Sequence, residues 1–138
     1  APVRVASAAD MPSLRETVAA PDAPPAIGPY SHAVRAGDLL FCSGQIPLDP
    51  STGELVGATP GEQAAQCLRN LQAVCRAAGT SLERAVRCTV YLTDMGAFAE
   101  VNEAYARFFA TDPPARVAIG VAALPKGAQV EIDAIVAL

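Results

Sequence analysis

The sequence predicts an α+β domain in which two helices pack on one face of a mixed β-sheet. The first helical signal begins at Thr59-Pro60-Gly61-Glu62, a capping box with proline at the first helical position, and ends at Gly79. The second extends from about Asp94 to Phe109. β-prone runs surround both helices, an order typical of a sheet covered by helices on one side. With 138 residues, the chain is long enough for one domain with its own core.

Each predicted helix carries an apolar stripe whose members are three or four positions apart, as expected for a helix that packs on a core. The stripe of the first helix consists of Leu68, Leu71, Cys75 and Ala78. The stripe of the second consists of Phe98, Val101, Tyr105 and Phe108. Both stripes are therefore predicted to face the sheet.

The strands are predicted from β-prone runs separated by turn signals. Residues 32–36 and 38–43 flank Gly37-Asp38 and are predicted to form a hairpin. A short strand is expected at Leu55-Val56, and longer ones over residues 85–92, 116–121 and 129–138. Within residues 85–92, alternation places Val86, Cys88, Val90 and Leu92 on one side.

The N-terminal segment differs in composition from the rest of the chain. Five prolines within residues 1–25 indicate an extended arm, assigned to residues 1–21, ahead of a single domain at 22–138. Within the arm, Ser13 and Glu16 are spaced as a capping box, so a short helix over residues 13–20 is a further expectation.

The last predicted strand carries apolar residues on both sides, since Ile135 and Ala137 alternate with Val130, Ile132, Ala134, Val136 and Leu138. Two helices cover only one face of a sheet, so the other face needs a different cover. The pattern therefore predicts a homo-oligomer in which another subunit packs on that face.

The residue inventory excludes several classes of site. The single histidine, His32, rules out sites built on two histidines within one chain, and it is expected to be a packed or surface residue. The four cysteines contain no CxxC pair and are expected to be reduced and buried. A net charge of −4 with one lysine argues against nucleic acid as a partner. No membrane span or signal peptide is found, so a cytoplasmic protein is expected.

Four short segments carry the candidate chemistry. Gly28-Pro29 directs Tyr30, and Ser43 lies in a small polar cluster at the end of a strand. Arg116 begins a strand behind two prolines and offers a planar fork to a carboxylate. Glu131 alternates with core residues and is suited to hold or deprotonate a water. Each segment also has a structural interpretation, as a turn, a solvated arginine or a solvent-facing carboxylate.

The same segments resemble those of the RidA/YjgF family of reactive enamine/imine deaminases. The resemblance covers residues 22–138 and rests on four motifs in family order, namely Ala26-Ile27-Gly28-Pro29-Tyr30-Ser31, Ser43-Gly44-Gln45-Ile46-Pro47, Pro114-Ala115-Arg116 and Leu124-Pro125-Lys126-Gly127-Ala128 with Val130-Glu131-Ile132. It implies a chorismate-mutase-like fold and a homotrimer with clefts between subunits. It also implies hydrolysis of 2-aminoacrylate and related imines to 2-oxo acids and ammonia, with neither a metal nor another cofactor.

By resemblance, Arg116 anchors the substrate carboxylate and Glu131 positions the attacking water. Tyr30 and Ser43 are expected to line the pocket. Ala118 stands where well-known deaminases of the family carry cysteine, so only its backbone is expected to contribute. Two alternatives stay open: a trimer that binds 2-oxo acids without catalysis, and a ribonuclease or translation inhibitor, which the charge and the single histidine disfavour.

Overall fold

The computed structural model describes residues 14–138, which form one six-stranded sheet and two α-helices. In chain order the elements are β1 (Glu16–Val18), β2 (Ala33–Ala36), β3 (Leu39–Gln45), α1 (Pro60–Ala77), β4 (Ala85–Leu92), α2 (Phe98–Ala106), β5 (Ala115–Gly120) and β6 (Val130–Ala137). The strand order is β1-β2-β3-β6-β4-β5. Only β4 and β5 pair in parallel. The predicted α+β domain with a mixed sheet is confirmed.

The helix α1 begins and ends where its capping residues predict. The Thr59 hydroxyl accepts the N–H of Glu62 at 3.2 Å. At the other end Gly79 has φ +81°, a backbone conformation that glycine adopts without strain. The N–H of Thr80 then donates to the carbonyl of Cys75 at 3.0 Å, which satisfies the last turn.

The core lies between the helices and one face of the sheet. In β6 the residues that face the helices are buried, namely Val130, Ile132, Ala134 and Val136. Their neighbours Glu131, Asp133, Ile135 and Ala137 are half-buried on the opposite face. The alternation predicted for the last strand is therefore confirmed, and no helix of the described chain packs on that opposite face.

The N-terminal segment contains a strand where a short helix was expected. Glu16–Val18 pairs antiparallel with β2, with Val18 opposite Ala33. Isolated helices of eight residues are marginal, whereas the open edge of the hairpin offers a row of hydrogen bonds. Residues 1–13 lie outside the described part, so the division at residue 21 stays a prediction.

The apolar pattern of β4 and the apolar stripe of α2 each differ from the prediction at one position. Val86 is 48% exposed because the pairing of β4 with β6 shifts between Ala85 and Arg87. At the end of α2, backbone N–H groups donate to the carbonyl three residues earlier, as in a 3₁₀ helix, and this tightens the chain. As a result Phe109 is buried and Phe108 is only half-buried. No helix within residues 14–138 is long and apolar enough to cross a membrane.

Buried amide side chains of α1 hold the loop that follows β3. The Asn70 amide donates to the carbonyls of Ile46 and Leu48 at 3.2 and 3.0 Å. The Gln66 amide donates to Asn70 Oδ1 at 2.9 Å. These bonds satisfy loop carbonyls that would otherwise be buried without partners, and they fix the position of Ile46.

Candidate functional site

An irregularity at the end of β3 gives Ser43 and Gly44 their positions. Cys42 pairs with Ala134 of β6 and Gln45 pairs with Ile132, so β3 has one residue more than β6 over this interval. Such a bulge turns side chains away from the regular sheet pattern.

Three of the predicted site residues line one cavity beside this bulge. The cavity has a volume of about 300 Å³ and is lined by Ile27, Tyr30, Ser43, Gly44, Ile46, Pro125 and Glu131. It therefore combines two hydroxyls and a carboxylate with apolar walls, which is the usual make-up of a small-molecule site.

The two hydroxyls in this cavity have complementary hydrogen-bonding roles. Ser43 Oγ donates to the carbonyl of Ser31 at 2.6 Å, so its remaining capacity is that of an acceptor. Tyr30 Oη accepts the N–H of Ile27 at 3.2 Å, so its own proton remains available for donation. A ligand with an amino or imino N–H and a carboxylate therefore finds a partner for both groups, because the N–H can donate to Ser43 and the carboxylate can accept from Tyr30.

The carboxylate of Glu131 lies against the backbone of Gly44. A Cβ on Gly44 would lie 2.6 Å from Glu131 Oε2, closer than any side chain tolerates. Burial raises the pKa of Glu131, and the nearby carboxylate of Asp133 raises this pKa further. A carboxylate with a raised pKa is a better proton acceptor near neutral pH than an exposed glutamate.

Arg116 lies outside this cavity, at the far edge of the sheet. Its Nη1 donates to Asn102 Oδ1 at 2.6 Å. Its guanidinium lies 5.0 Å from the ring centre of Tyr105 and 5.5 Å from that of Phe98, both in α2 or at its start. A hydrogen bond and two cation–π contacts hold the guanidinium in place, while the side chain stays exposed.

Within one chain, Arg116 and Glu131 do not meet. Arg116 is paired with Cys88, which is buried under the helices, so it faces the helix side of the sheet. Glu131 lies on the opposite side, on a strand separated from β5 by β4. The predicted residues thus form two groups, a carboxylate and two hydroxyls in one place and a cation in another.

Ala118 lies on the same edge strand as Arg116. It is half-buried, is paired with Val90 and packs against the core. Since β5 has a neighbouring strand on one side only, the backbone groups along its outer edge have no partner strand within residues 14–138. The predicted contribution of the Ala118 backbone is compatible with this position but stays a prediction.

His32 has a structural role in the segment that precedes β2. Its Nδ1 accepts the N–H of Ala20 at 3.0 Å, and its Nε2 lies 2.8 Å from the carbonyl oxygen of Pro24. Both ring nitrogens are thus occupied in tying the segment before β2 to the sheet. The expectation of a packed histidine is confirmed.

The four cysteines are free and buried, as expected. Within residues 14–138, no group of three or more histidine, cysteine, aspartate or glutamate side chains is arranged to hold a metal ion. A larger cavity, of about 590 Å³, lies between α1 and α2 and contains none of the predicted site residues.

Two residues of these sites were missed by the sequence reasoning. Asn102 lies four positions after Phe98 and three before Tyr105, so it shares a helix face with both rings. A polar residue beside the apolar stripe was the available signal that a side chain could bind there. Gly44 was noted only as part of a polar cluster, and its contact with Glu131 depends on a pairing between β3 and β6 that spacing does not reveal.

Comparisons with known proteins identify the family to which this chain belongs. A family model described as Endoribonuclease L-PSP matches residues 20–138. The RutC family protein y4sK of Sinorhizobium fredii is 57% identical over 123 residues, covering 89% of this chain and 98% of that protein. The 2-iminobutanoate/2-iminopropanoate deaminase of Mus musculus is 47% identical over 122 residues, covering 88% of this chain and 90% of that protein.

Solved structures show the same fold. RidA from the Antarctic bacterium Psychrobacter sp. is 43% identical, with a TM-score of 0.85, and covers 89% of this chain and 99% of that one. TdcF of E. coli, solved with bound serine, is 40% identical, with a TM-score of 0.84, and covers 89% of this chain and 98% of that one. The chain belongs to the Endoribonuclease L-PSP family, the family also known as RutC/YjgF/RidA.

Proposed function

We propose that this protein hydrolyses reactive 2-enamino and 2-imino acids, such as 2-aminoacrylate, to 2-oxo acids and ammonia. In this proposal it acts as a cytoplasmic homotrimer of chorismate-mutase-like domains, with sites between subunits and no cofactor. The mammalian relative named as a 2-iminobutanoate/2-iminopropanoate deaminase supports the reaction class.

The observation that carries the proposal is the separation of Arg116 from the cavity of Glu131. The guanidinium is held in an exposed position by Asn102, ready for an anionic partner. The carboxylate and hydroxyls lie on the sheet face that the helices leave open. A second copy that covers this face can supply the missing cation, which makes one complete site from two incomplete ones.

In the assembled site, Arg116 of one subunit binds the substrate carboxylate through a bidentate fork. The Ser43 oxygen accepts a hydrogen bond from the substrate nitrogen, and the Tyr30 hydroxyl donates to the substrate. These contacts orient the electrophilic carbon toward the Glu131 carboxylate. Orientation supplies much of the acceleration, because an imine already reacts with water without help.

An enamine substrate first becomes the imine by moving a proton from its nitrogen to its terminal carbon. Glu131 then takes a proton from a water as the water oxygen attacks C2 of the imine. The C=N double bond becomes a single bond, and Glu131 returns the proton of the water to the nitrogen, which gives the carbinolamine. Glu131 next carries the proton of the carbinolamine hydroxyl to the nitrogen, so the C–N bond breaks, ammonia leaves, and the C–O bond becomes the carbonyl of the 2-oxo acid. One acid–base group of this kind contributes about 10²–10⁴-fold.

The first test measures ammonia release from 2-aminoacrylate generated in place by a serine dehydratase. We expect Arg116→Ala to abolish the release, and Arg116→Lys to restore only part of it because lysine lacks the planar fork. Glu131→Gln should also be inactive. Full activity in Arg116→Ala rules out the proposed role.

The second test mixes two inactive variants, Arg116→Ala and Glu131→Gln, after joint unfolding and refolding. If each site takes Glu131 from one subunit and Arg116 from the next, about a quarter of the sites contain both native residues. Activity near a quarter of the wild-type value supports shared sites, and no recovery contradicts them. Light scattering on the same samples measures the number of subunits.

A non-catalytic binding role is the second candidate. The serine bound to E. coli TdcF favours a site that holds small carboxylates. Binding of 2-oxobutyrate by calorimetry, with no turnover of any imine, supports this candidate over the first.

A ribonuclease role has weaker support despite the description of the family. His32 uses both ring nitrogens within the fold, and the net charge is −4. RNA cleavage by the purified protein that disappears in Glu131→Gln would favour this role instead.

A further inference from the structure

A hydrogen-bonded pair adjoins Glu131 on the face of the sheet that the helices leave open. The Tyr91 hydroxyl donates to Asp133 Oδ2 at 3.0 Å. Tyr91 lies directly opposite Glu131 in the pairing of β4 with β6, and Asp133 lies two residues further along β6. Alternation along a strand puts Glu131 and Asp133 on the same face, with their Cα atoms roughly 7 Å apart.

The groups around Glu131 are acidic or neutral. On β6 its charged neighbour is Asp133, on β4 it faces Tyr91, and across the cavity it faces Tyr30. From the helix side, the thiol of Cys67 interacts with it through the sheet. The titratable groups of the described chain that face Glu131 therefore include one carboxylate and no cation.

Two cations lie nearby, and neither lines the cavity of Glu131 except through the turn that precedes β6. The ammonium of Lys126, in that turn, donates to the carbonyl of Gly53 at 3.2 Å. Arg87 is paired with Ile135, two residues beyond Asp133 on β6, and lines a separate cavity together with Asp133. The negative charge closest along the strand is thus that of Asp133, and Tyr91 holds that carboxylate in position.

We propose that Asp133, held by the Tyr91 hydroxyl, is a positioning residue that acts through Glu131 and keeps the Glu131 carboxylate a stronger base than an isolated glutamate. The inference rests on the proposed function, in which Glu131 takes a proton from the attacking water. Asp133 touches neither substrate nor water in this scheme. It repels the negative charge of Glu131, which makes proton uptake by Glu131 more favourable.

The direction of the effect follows from the like charges. Two carboxylates roughly 7 Å apart repel each other even in a water-like dielectric, and more strongly where solvent is excluded. Removing the charge of Asp133 should therefore lower the pKa of Glu131. A proton acceptor with a lower pKa stays ionised to lower pH but is a weaker base.

The experiment measures kcat/KM for 2-aminoacrylate as a function of pH in the wild type, Asp133→Asn, Asp133→Glu and Tyr91→Phe. We expect the acidic midpoint of Asp133→Asn to lie below that of the wild type, with a lower plateau. Asp133→Glu keeps the charge and should restore the wild-type midpoint. Tyr91→Phe releases Asp133 and should give a smaller shift in the same direction.

Glu103→Gln provides the matched control. It removes an exposed carboxylate of α2 that forms a surface ion pair with Arg107 at 3.9 Å, and it should leave the midpoint unchanged. A purely structural role for Asp133 would lower activity at every pH without moving the midpoint, and that result overturns the proposal.

A second measurement is independent of activity. The side-chain carboxyl carbon of Glu131 is followed by ¹³C NMR while the pH is varied, in the wild type, Asp133→Asn and Tyr91→Phe. A lower titration midpoint in Asp133→Asn supports the inference even if the protein is no deaminase. An unchanged midpoint overturns it, even if Glu131→Gln proves inactive and the proposed function stands. If Asp133→Asn does not fold, an unchanged midpoint in Tyr91→Phe overturns it.

Discussion

The Glu131 carboxylate lies where a side chain on Gly44 would have to be, since a Cβ at that position would lie 2.6 Å from Oε2. The bulge of β3 and the orientation of the proposed base are therefore linked by direct contact. A larger residue at position 44 must displace either the loop or the carboxylate. The loop is held by the amide of Asn70, so the carboxylate is the part more easily moved.

We expect Gly44→Ala to lower kcat/KM for 2-aminoacrylate by tenfold or more, because a displaced carboxylate no longer reaches the water (about 10²-fold for a 1 Å error). Gly37→Ala is the control. Gly37 has φ +60° in the hairpin turn, so alanine there should cost about 1 kcal/mol of stability without touching the cavity. Equal losses of activity in both variants would show that stability, not the carboxylate, explains the effect.

Asn102→Ala should weaken substrate binding more than it slows the reaction. The variant removes the 2.6 Å hydrogen bond that holds the Arg116 guanidinium, while the rings of Tyr105 and Phe98 remain. We expect KM to rise by about tenfold, with kcat within about threefold of the wild type, as for a loss of uniform binding. Steady-state kinetics measures KM and kcat separately, and a fall in kcat with an unchanged KM contradicts the anchoring role.

Asn70→Ala should destabilise the fold. Asn70 is 1% exposed, and its loss leaves two loop carbonyls without their donor. We expect the free energy of unfolding to fall by about 2–3 kcal/mol, measured by urea denaturation. Arg76→Ala, an exposed change in the same helix, should stay within about 0.5 kcal/mol. Similar values for the two variants would contradict the role of the buried amide.

The thiols should be unreactive in the native protein. All four cysteines are buried, burial raises the pKa of Cys67, and burial raises the pKa of Cys88 to about 11. The hydrogen bond with Cys42 lowers the pKa of Cys75, but this thiol has no exposed surface at which a reagent could attack. An aromatic disulfide reagent at pH 8 should therefore react slowly with the folded protein and with four thiols per chain after unfolding. If one thiol per chain reacted rapidly in the native protein, that would show that a cysteine is accessible.

Much of the fold could be predicted from local signals. The limits of α1 follow from Thr59 and Gly79, whose conformations are set within a few residues. The alternation in β6 likewise reports which side chains face the core. The short strand β1 could not be predicted in this way, because its hydrogen bonds come from β2, about seventeen residues later. Tertiary pairing outweighed the local capping signal there.

Three residues that share the candidate cavity could be predicted from the sequence, but the geometry of the site could not. Tyr30, Ser43 and Glu131 were found from motifs, and they share a cavity. Nothing in their spacing shows that Arg116 faces the other side of the sheet, since that depends on the parallel pairing of β5 with β4. The contribution of Gly44 arises from a strand register and was equally hidden.

The position of Arg116 on β5 has a consequence for how variants of this protein fail. An edge strand with an unpaired row of backbone donors and acceptors is a template for another strand, including one from a misfolded chain. If copies of the protein cover this edge when they assemble, the same contact completes the site and shields the template. Substitutions that weaken assembly would then cause two defects together, lost activity and aggregation, although they alter neither the chemistry nor the fold of a single chain.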